Sequence, residues 1–351
     1  PTKTYGDVSF VLSDPETNSD GEFTFTSSDN TRVSISGRTV NILSTGLVSI
    51  TATQGETNTY LSNAITSIFI VNKAPATIGD FSVSEKIYGS GSFFLSDPNS
   101  NSNGEFTFSS SNDKVVTIYE KTVTLVGGGE SIITAIQTES DNYLSAIKTT
   151  VLIVNKATTT LSNFNIPEKK YGDDSFGLTK PTSNIDGAFI YSSSDETVAK
   201  IVGTTLSVVG AGFASITATQ IETTNNLSAT IVTTINVIKA TPIISGFINL
   251  TKTFGDSSFN LDPSSNSTGL ITYSSSNTGV ATISGSEVTI LGAGTSRLTF
   301  EQPATDNYLE ASITVDLIVS KATPIISNFV NLEKTFGDSS FNLDPSSNST
   351  G

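Results

Sequence analysis

Apolar and polar residues alternate with a period of two along most of this chain. Phe23-Thr24-Phe25, Val33-Ser34-Ile35, Val40-Asn41-Ile42 and Val48-Ser49-Ile50-Thr51-Ala52 each put every second side chain on one face. A strand with one buried face requires that pattern. Ile68-Phe69-Ile70-Val71 is a more continuous apolar run, and Asp20-Gly21, Ser36-Gly37 and Thr45-Gly46 supply turn chemistry between runs. No stretch sustains a helical period. About seven short strands separated by turns predict an all-β, immunoglobulin-like sandwich.

The pattern recurs. An aromatic-Gly pair followed by Asp or Ser stands at Tyr5-Gly6-Asp7, Tyr88-Gly89-Ser90, Tyr171-Gly172-Asp173, Phe254-Gly255-Asp256 and Phe336-Gly337-Asp338. Lys-Ala keeps the same beat at Lys73, Lys156, Lys239 and Lys321, as does a Gly-ending dipeptide at Gly21, Gly104, Gly187, Gly269 and Gly351. A period of about 83 residues exceeds the 20–50 of solenoid units and suits a small complete domain. The markers predict an Ig-like domain over 1–73 lacking its first strand, Ig-like domains over 74–156, 157–239 and 240–321, and the opening part of a fifth over 322–351. Residues 322–351 match 240–269 at 27 of 30 positions. Such near-identity points to recent duplication and to further copies of the repeat in a longer chain.

Composition narrows the function. The chain has no Cys, His, Met or Trp, so thiolate chemistry, imidazole bases and the usual zinc and iron–sulfur ligands are missing. Its 18 Lys and Arg against 33 Asp and Glu give a charge of −15, which repels nucleic-acid phosphates and anionic lipid. No apolar run approaches the ~20 residues that span a bilayer as a helix. The expected partners exclude nucleic acid, and no membrane insertion is expected in this segment.

Tyr273-Ser274-Ser275-Ser276-Asn277, Val280-Ala281-Thr282-Ile283, Val288-Thr289-Ile290 and Gly292-Ala293-Gly294 resemble the bacterial group 2 Ig-like (BIG2) pattern. Phe25, Phe108 and Tyr191 hold the aromatic position in the other repeats, and Gly210-Ala211-Gly212 repeats the glycine motif. The family typically has Trp where this chain has Phe or Tyr. The resemblance implies an Ig-like fold and a role in surface proteins, adhesins or viral fibres. It implies no ligand and no catalytic residue.

Three sets of residues carry candidate chemistry. The Gly of each Tyr/Phe-Gly-Asp triplet suits a positive-φ turn with Asp capping backbone N–H groups. The alternative is calcium held by Asp7, Asp173 and Asp256, with oxygens from the Asp14–Asp20 loop and Asp141-Asn142. Ser90 replaces the Asp once and the boundaries bring no carboxylate, so the turn is the preferred reading and no cofactor is expected. Asn142-Tyr143 and Asn307-Tyr308, with Thr59-Tyr60 and Asn226-Leu227 as variants, precede the last strand. They read as a loop whose Tyr or Leu plugs the sandwich end, or as a contact platform. Ser192-Ser193-Ser194 has no base to activate it, and carboxylates repeated with each domain do not make a single active site. The sequons at Asn226, Asn249, Asn266 and Asn348 matter only in a eukaryotic secretory route.

The expectation is a non-enzymatic stalk or fibre segment, extracellular, on a cell surface or on a virion, whose short linkers give reach and stiffness. At about 3.3 Å per strand residue, four domains in line exceed about 100 Å. The alternatives are a filament subunit joined by donor-strand exchange, and a repeat that binds a host surface protein or glycan.

Overall fold

The computed structural model describes Thr2–Ser349. It is all-β, with no helix among the described residues. The chain forms two compact units. The first holds the chain up to Thr160 with Ser183–Ala188 and Gln220–Ala229; the second holds Leu161–Thr182, Phe189–Thr219 and the chain from Thr230 onward. The third sequence period thus contributes to both.

In the first unit, β1 (Thr2–Thr4), β2 (Phe10–Val11), β3 (Phe23–Ser27), β4 (Val33–Ser36), β5 (Thr39–Ile42), β6 (Gly46–Gln54) and β7 (Asn63–Asn72) make two sheets, ordered β1-β7-β6-β3 and β2-β5-β4. β1 runs parallel to β7 with Thr2 opposite Ile70, and the other pairs are antiparallel. The strands β8 (Lys86–Ile87), β9 (Phe93–Phe94), β10 (Phe106–Ser110), β11 (Val116–Tyr119), β12 (Thr122–Leu125), β13 (Gly129–Gln137) and β14 (Ala146–Asn155) repeat the arrangement as β10-β13-β14-β8 and β11-β12-β9. Third, sixth and seventh strands on one sheet and second, fifth and fourth on the other is the immunoglobulin order.

Alternation produces the core. In β6 the inward side chains are Val48, Ile50, Ala52 and Gln54. Val48 and Ile50 cluster with Val33, Val40, Phe69 and Val71. Each fully buried aliphatic or Phe side chain contributes roughly 1.5–3 kcal/mol. The run Ile68–Val71 is not buried throughout: Phe69 and Val71 point inward while Ile68 and Ile70 face out. A second cluster, around Val116, Val123, Ile133 and Leu152, fills β8–β14.

In the second unit, Ala199, Leu206, Ile216 and Ile235 centre one core and Leu298, Val288 and Leu317 another. Around the latter, Leu250–Thr253 runs parallel to Ala311–Ser320, which pairs with Gly294–Gln302, and that strand pairs in turn with Thr272–Ser275. The chain after Lys321 copies the fourth repeat's opening locally: Ile326 pairs with Ser347 as Ile244 pairs with Ser265. It has no core. Leu343 is 56% exposed where its counterpart Leu261 is 8% exposed.

Candidate functional site: the repeat junction

Each Tyr/Phe-Gly-Asp triplet is a tight turn. Gly6, Gly89, Gly172, Gly255 and Gly337 have φ between 83° and 100°, a region open to glycine at little cost. Asp7, Asp173, Asp256 and Asp338 each accept a hydrogen bond from the backbone N–H three residues back, at Thr4, Lys170, Thr253 and Thr335, all at 2.9 Å. The structure therefore places the calcium candidates Asp7, Asp173 and Asp256 one per turn, each with an oxygen committed to its own backbone. Asp14 pairs with Arg38, and the Asp141 carbonyl takes the Thr45 hydroxyl. No group of three acidic side chains gathers among the described residues. The rings before the glycines differ in surroundings. Tyr5, Tyr88 and Tyr171 pack on their cores, whereas Phe254 and Phe336 are exposed.

In the second, third and fourth repeats the loop before the last strand joins neighbouring repeats. Ala74 donates its N–H to the Asn142 carbonyl, and Leu144 N–H returns to the Ala74 carbonyl. The Asn142 side-chain oxygen then reaches back to the preceding repeat, accepting from Ser44 Oγ at 2.9 Å and Thr45 N at 3.0 Å. Tyr143 meets Tyr5 edge to face, 5.4 Å between centroids, a contact type worth about 0.5–1.5 kcal/mol beyond area burial. The same unit repeats the joint at Ala157, where the Asn225 side chain accepts from Gly128 N at 2.9 Å. In the second unit Asn307 accepts from Ala211 N at 2.8 Å, and Tyr308 stands edge to face on Tyr171 at 5.4 Å. Lysines flank the joints: Lys73 meets Glu139 at 3.4 Å, Lys156 meets Glu222 at 3.2 Å, and Lys239 donates to the Thr305 carbonyl at 2.6 Å.

The backbone bridges correct the phase of the loop. Ala74 bridges Tyr143, Ala157 bridges Asn226 and Ala240 bridges Tyr308. Asn225, not Asn226, is therefore the counterpart of Asn142, and Asn226 stands where the others have Tyr. Leu227 corresponds to Leu144 and Leu309, and the three are 47–48% exposed. Leucine therefore replaces no tyrosine in this loop. The glycine motif acquires a reason as well. A Cβ on Gly127 or Gly210 would lie 3.2–3.3 Å from the Asn225 or Asn307 side-chain oxygen and 2.6 Å from a backbone carbonyl of its own repeat.

Sequence reasoning missed a buried glutamine that keeps the same period: Gln54, Gln137, Gln220 and Gln302. Gln137 Nε2 donates to the carbonyls of Ser102 and Gly104 at 3.0 and 2.9 Å, and its Oε1 accepts from Ser100 Oγ at 2.6 Å. Gln54 and Gln302 make the corresponding bonds, and Gln220 holds Ser183 and Ile185. A buried amide with these bonds fixes the loop to the end of the sixth strand. The dipeptide glycines serve this latch, not a positive-φ turn. A Cβ on Gly21 or Gly104 would lie 2.2 or 2.0 Å from the carbonyl oxygen of Gly55 or Thr138. A Gln in phase with the aromatic-Gly marker was the available signal.

Two other features lay outside the sequence expectations. Lys3, Lys86, Lys169, Lys252 and Lys334 lie 4.6–5.3 Å from the rings of Phe10, Phe93, Phe176, Phe259 and Phe341. They put a cation on the strand edge, a device that discourages edge pairing. In the second repeat, Phe94, Thr122 and Tyr119 form one cross-strand row, with Phe94 79% and Tyr119 77% exposed. Thr31 holds the Asp29 carboxyl below its usual value and Thr197 does the same for Asp195, through hydroxyl and amide hydrogen bonds. Burial pushes the Tyr191 and Tyr273 phenols up.

No family model matches the chain, and no curated protein matches it. Solved structures do match. Drosophila N-cadherin EC1-4 aligns at 12% identity over 91% of this chain and 98% of its own, with a TM-score of 0.25. Immunoglobulin domains 1-5 of Sidekick-1 align at 11% over 92% and 79%, TM-score 0.31. The insect immune protein hemolin aligns at 12% over 92% and 98%, TM-score 0.30. Strand order and register carry the Ig-like assignment.

Proposed function

We propose that the chain is a structural segment of an extracellular, cell-surface or virion-surface stalk, built from BIG2-like domains over 1–73, 74–156, 157–239 and 240–321, with a fifth beginning at 322. The observation that carries this reading is the joint itself: Asn142, Asn225 and Asn307 each cap backbone of the preceding repeat, with no spacer between repeats. A linker of that kind limits bending. The reading assigns no reaction to the chain. The sequence has no imidazole to activate its hydroxyls. Small-angle scattering tests it. The stalk reading requires a maximum dimension above about 100 Å, from roughly 3.3 Å per residue along the long strands; a compact particle overturns it.

A second reading, glycan binding by the repeats, is favoured by the Phe94–Thr122–Tyr119 row. Two exposed rings flanking a hydroxyl on an uncharged sheet face suit stacking on sugar rings. Glycan-array binding that disappears in a Phe94→Ala, Tyr119→Ala double variant would support it. Equal signals from the variant and the parent chain would remove it.

A further inference from the structure

Asn103-Gly104 is the only Asn-Gly pair in the sequence, and it lies inside the glutamine latch of the second repeat. Glycine offers no Cβ to keep its nitrogen away from the preceding side chain. Asn103 is exposed to water, but Gly104 is held on three sides. Its N–H donates to Ser102 Oγ at 3.2 Å, its carbonyl accepts from Gln137 Nε2 at 2.9 Å, and the Thr138 carbonyl lies where a Cβ would stand. We propose that Asn103-Gly104 is a backbone-driven deamidation and isomerisation site gated by the Gln137 latch. When the latch opens, the Gly104 backbone nitrogen loses its proton to solvent and attacks Asn103 Cγ. The new C–N bond closes a five-membered imide, the Cγ–Nδ2 bond breaks, and ammonia leaves with the added proton. Water then opens either imide carbonyl, leaving aspartate or isoaspartate at position 103.

The two products differ in consequence. Asp20 occupies this place in the first repeat, where Gln54 holds both the Ser19 and Gly21 carbonyls; Asp186 occupies it in the third, where Gln220 holds the Ile185 carbonyl. Aspartate is therefore accommodated. Isoaspartate puts an extra methylene into the main chain between the two carbonyls that Gln137 clamps at once, at Ser102 and Gly104, and both bonds cannot persist. Modification is thus a one-way loosening of the second repeat alone, slow while the latch is closed.

The test ages the full chain in mildly alkaline buffer and follows position 103 by peptide mapping with isoaspartate detection. In Gln137→Ala the rate at Asn103 rises about tenfold or more over the parent chain, because the bonds that hold the latch closed are lost. Asn103→Asp unfolds at the parent midpoint. Equal rates in Gln137→Ala and the parent chain, or faster modification at another asparagine, would overturn the proposal. If Gln137→Ala does not fold, a low-denaturant series on the parent chain replaces it. The rate at Asn103 must then climb with the opened population of the second repeat, and a flat rate rejects the gate.

Discussion

At the scale of single residues, two amides do most of the organising. Gln137 and its counterparts are buried with both ends of the amide bonded, so truncation leaves carbonyls and a hydroxyl without partners. Gln302→Ala should destabilise the fourth repeat by about 1–3 kcal/mol, read as a shift in denaturant midpoint. Asn142, Asn225 and Asn307 act between repeats. Asn307→Ala should release the Ala211 amide, seen as faster hydrogen exchange there with Val198 and Ile216 unchanged. The aromatic at Tyr191 and Tyr273 has a pH signature. Burial raises the Tyr191 and Tyr273 phenols above the ordinary 10.0, with Asp262 adding to the effect at Tyr273. The folded state thus holds those protons more tightly than the unfolded chain. That contribution is fully present below pH 10 and is lost as pH rises through the raised folded value. Tyr191→Phe and Tyr273→Phe should flatten the alkaline fall in unfolding midpoint. Phe25 and Phe108 give the first two repeats no such term.

Elements show how local chemistry and packing divide the work. The Tyr-Gly-Asp turn closes from local sequence: Gly337 and Asp338 form it in a segment with no core, with φ at Gly337 of 100° against 97° at Gly255. Gly172→Ala, at φ 91°, should cost about 1–2 kcal/mol, visible as a lowered midpoint of the third repeat. Because each Asp is already bonded to backbone, calcium or a chelator should leave the unfolding midpoint unchanged. A midpoint that rises with calcium would instead assign Asp7, Asp173 and Asp256 to a metal. Strands were readable wherever one face is buried, as in β6. The length of β7 was less so, since its first half, Asn63–Ile68, is exposed and is held by pairing with β6, not by an apolar face.

For the molecule as a whole, the decisive contacts connect residues nearly a hundred positions apart, Ser44 to Asn142, Gly128 to Asn225 and Ala211 to Asn307. Periodicity announced the units. It did not announce that the loops at Asn142, Asn225 and Asn307 engage the repeat before them. The Asn-Tyr loop was visible in the sequence, but its phase at Asn225-Asn226 was misread, although the 83-residue period sets Asn225 opposite Asn142 and the bridge to Ala157 agrees. The immunoglobulin order was legible from strand number and turn spacing, since few other arrangements bury seven short alternating strands.

The segment after Lys321 separates what sequence determined from what tertiary structure decided. Residues 322–349 carry nearly the sequence of the fourth repeat's opening, and they make the same turn, the same Ser-Ser bond and the same Lys-over-Phe contact. Sequence determined those, because their partners lie within about twenty residues. Burial was decided elsewhere. Phe247 packs against Tyr273 and Phe300, while Phe329, its counterpart, is 69% exposed. A side chain leaves water only when the strands that cover it are present, and those strands lie far along the chain.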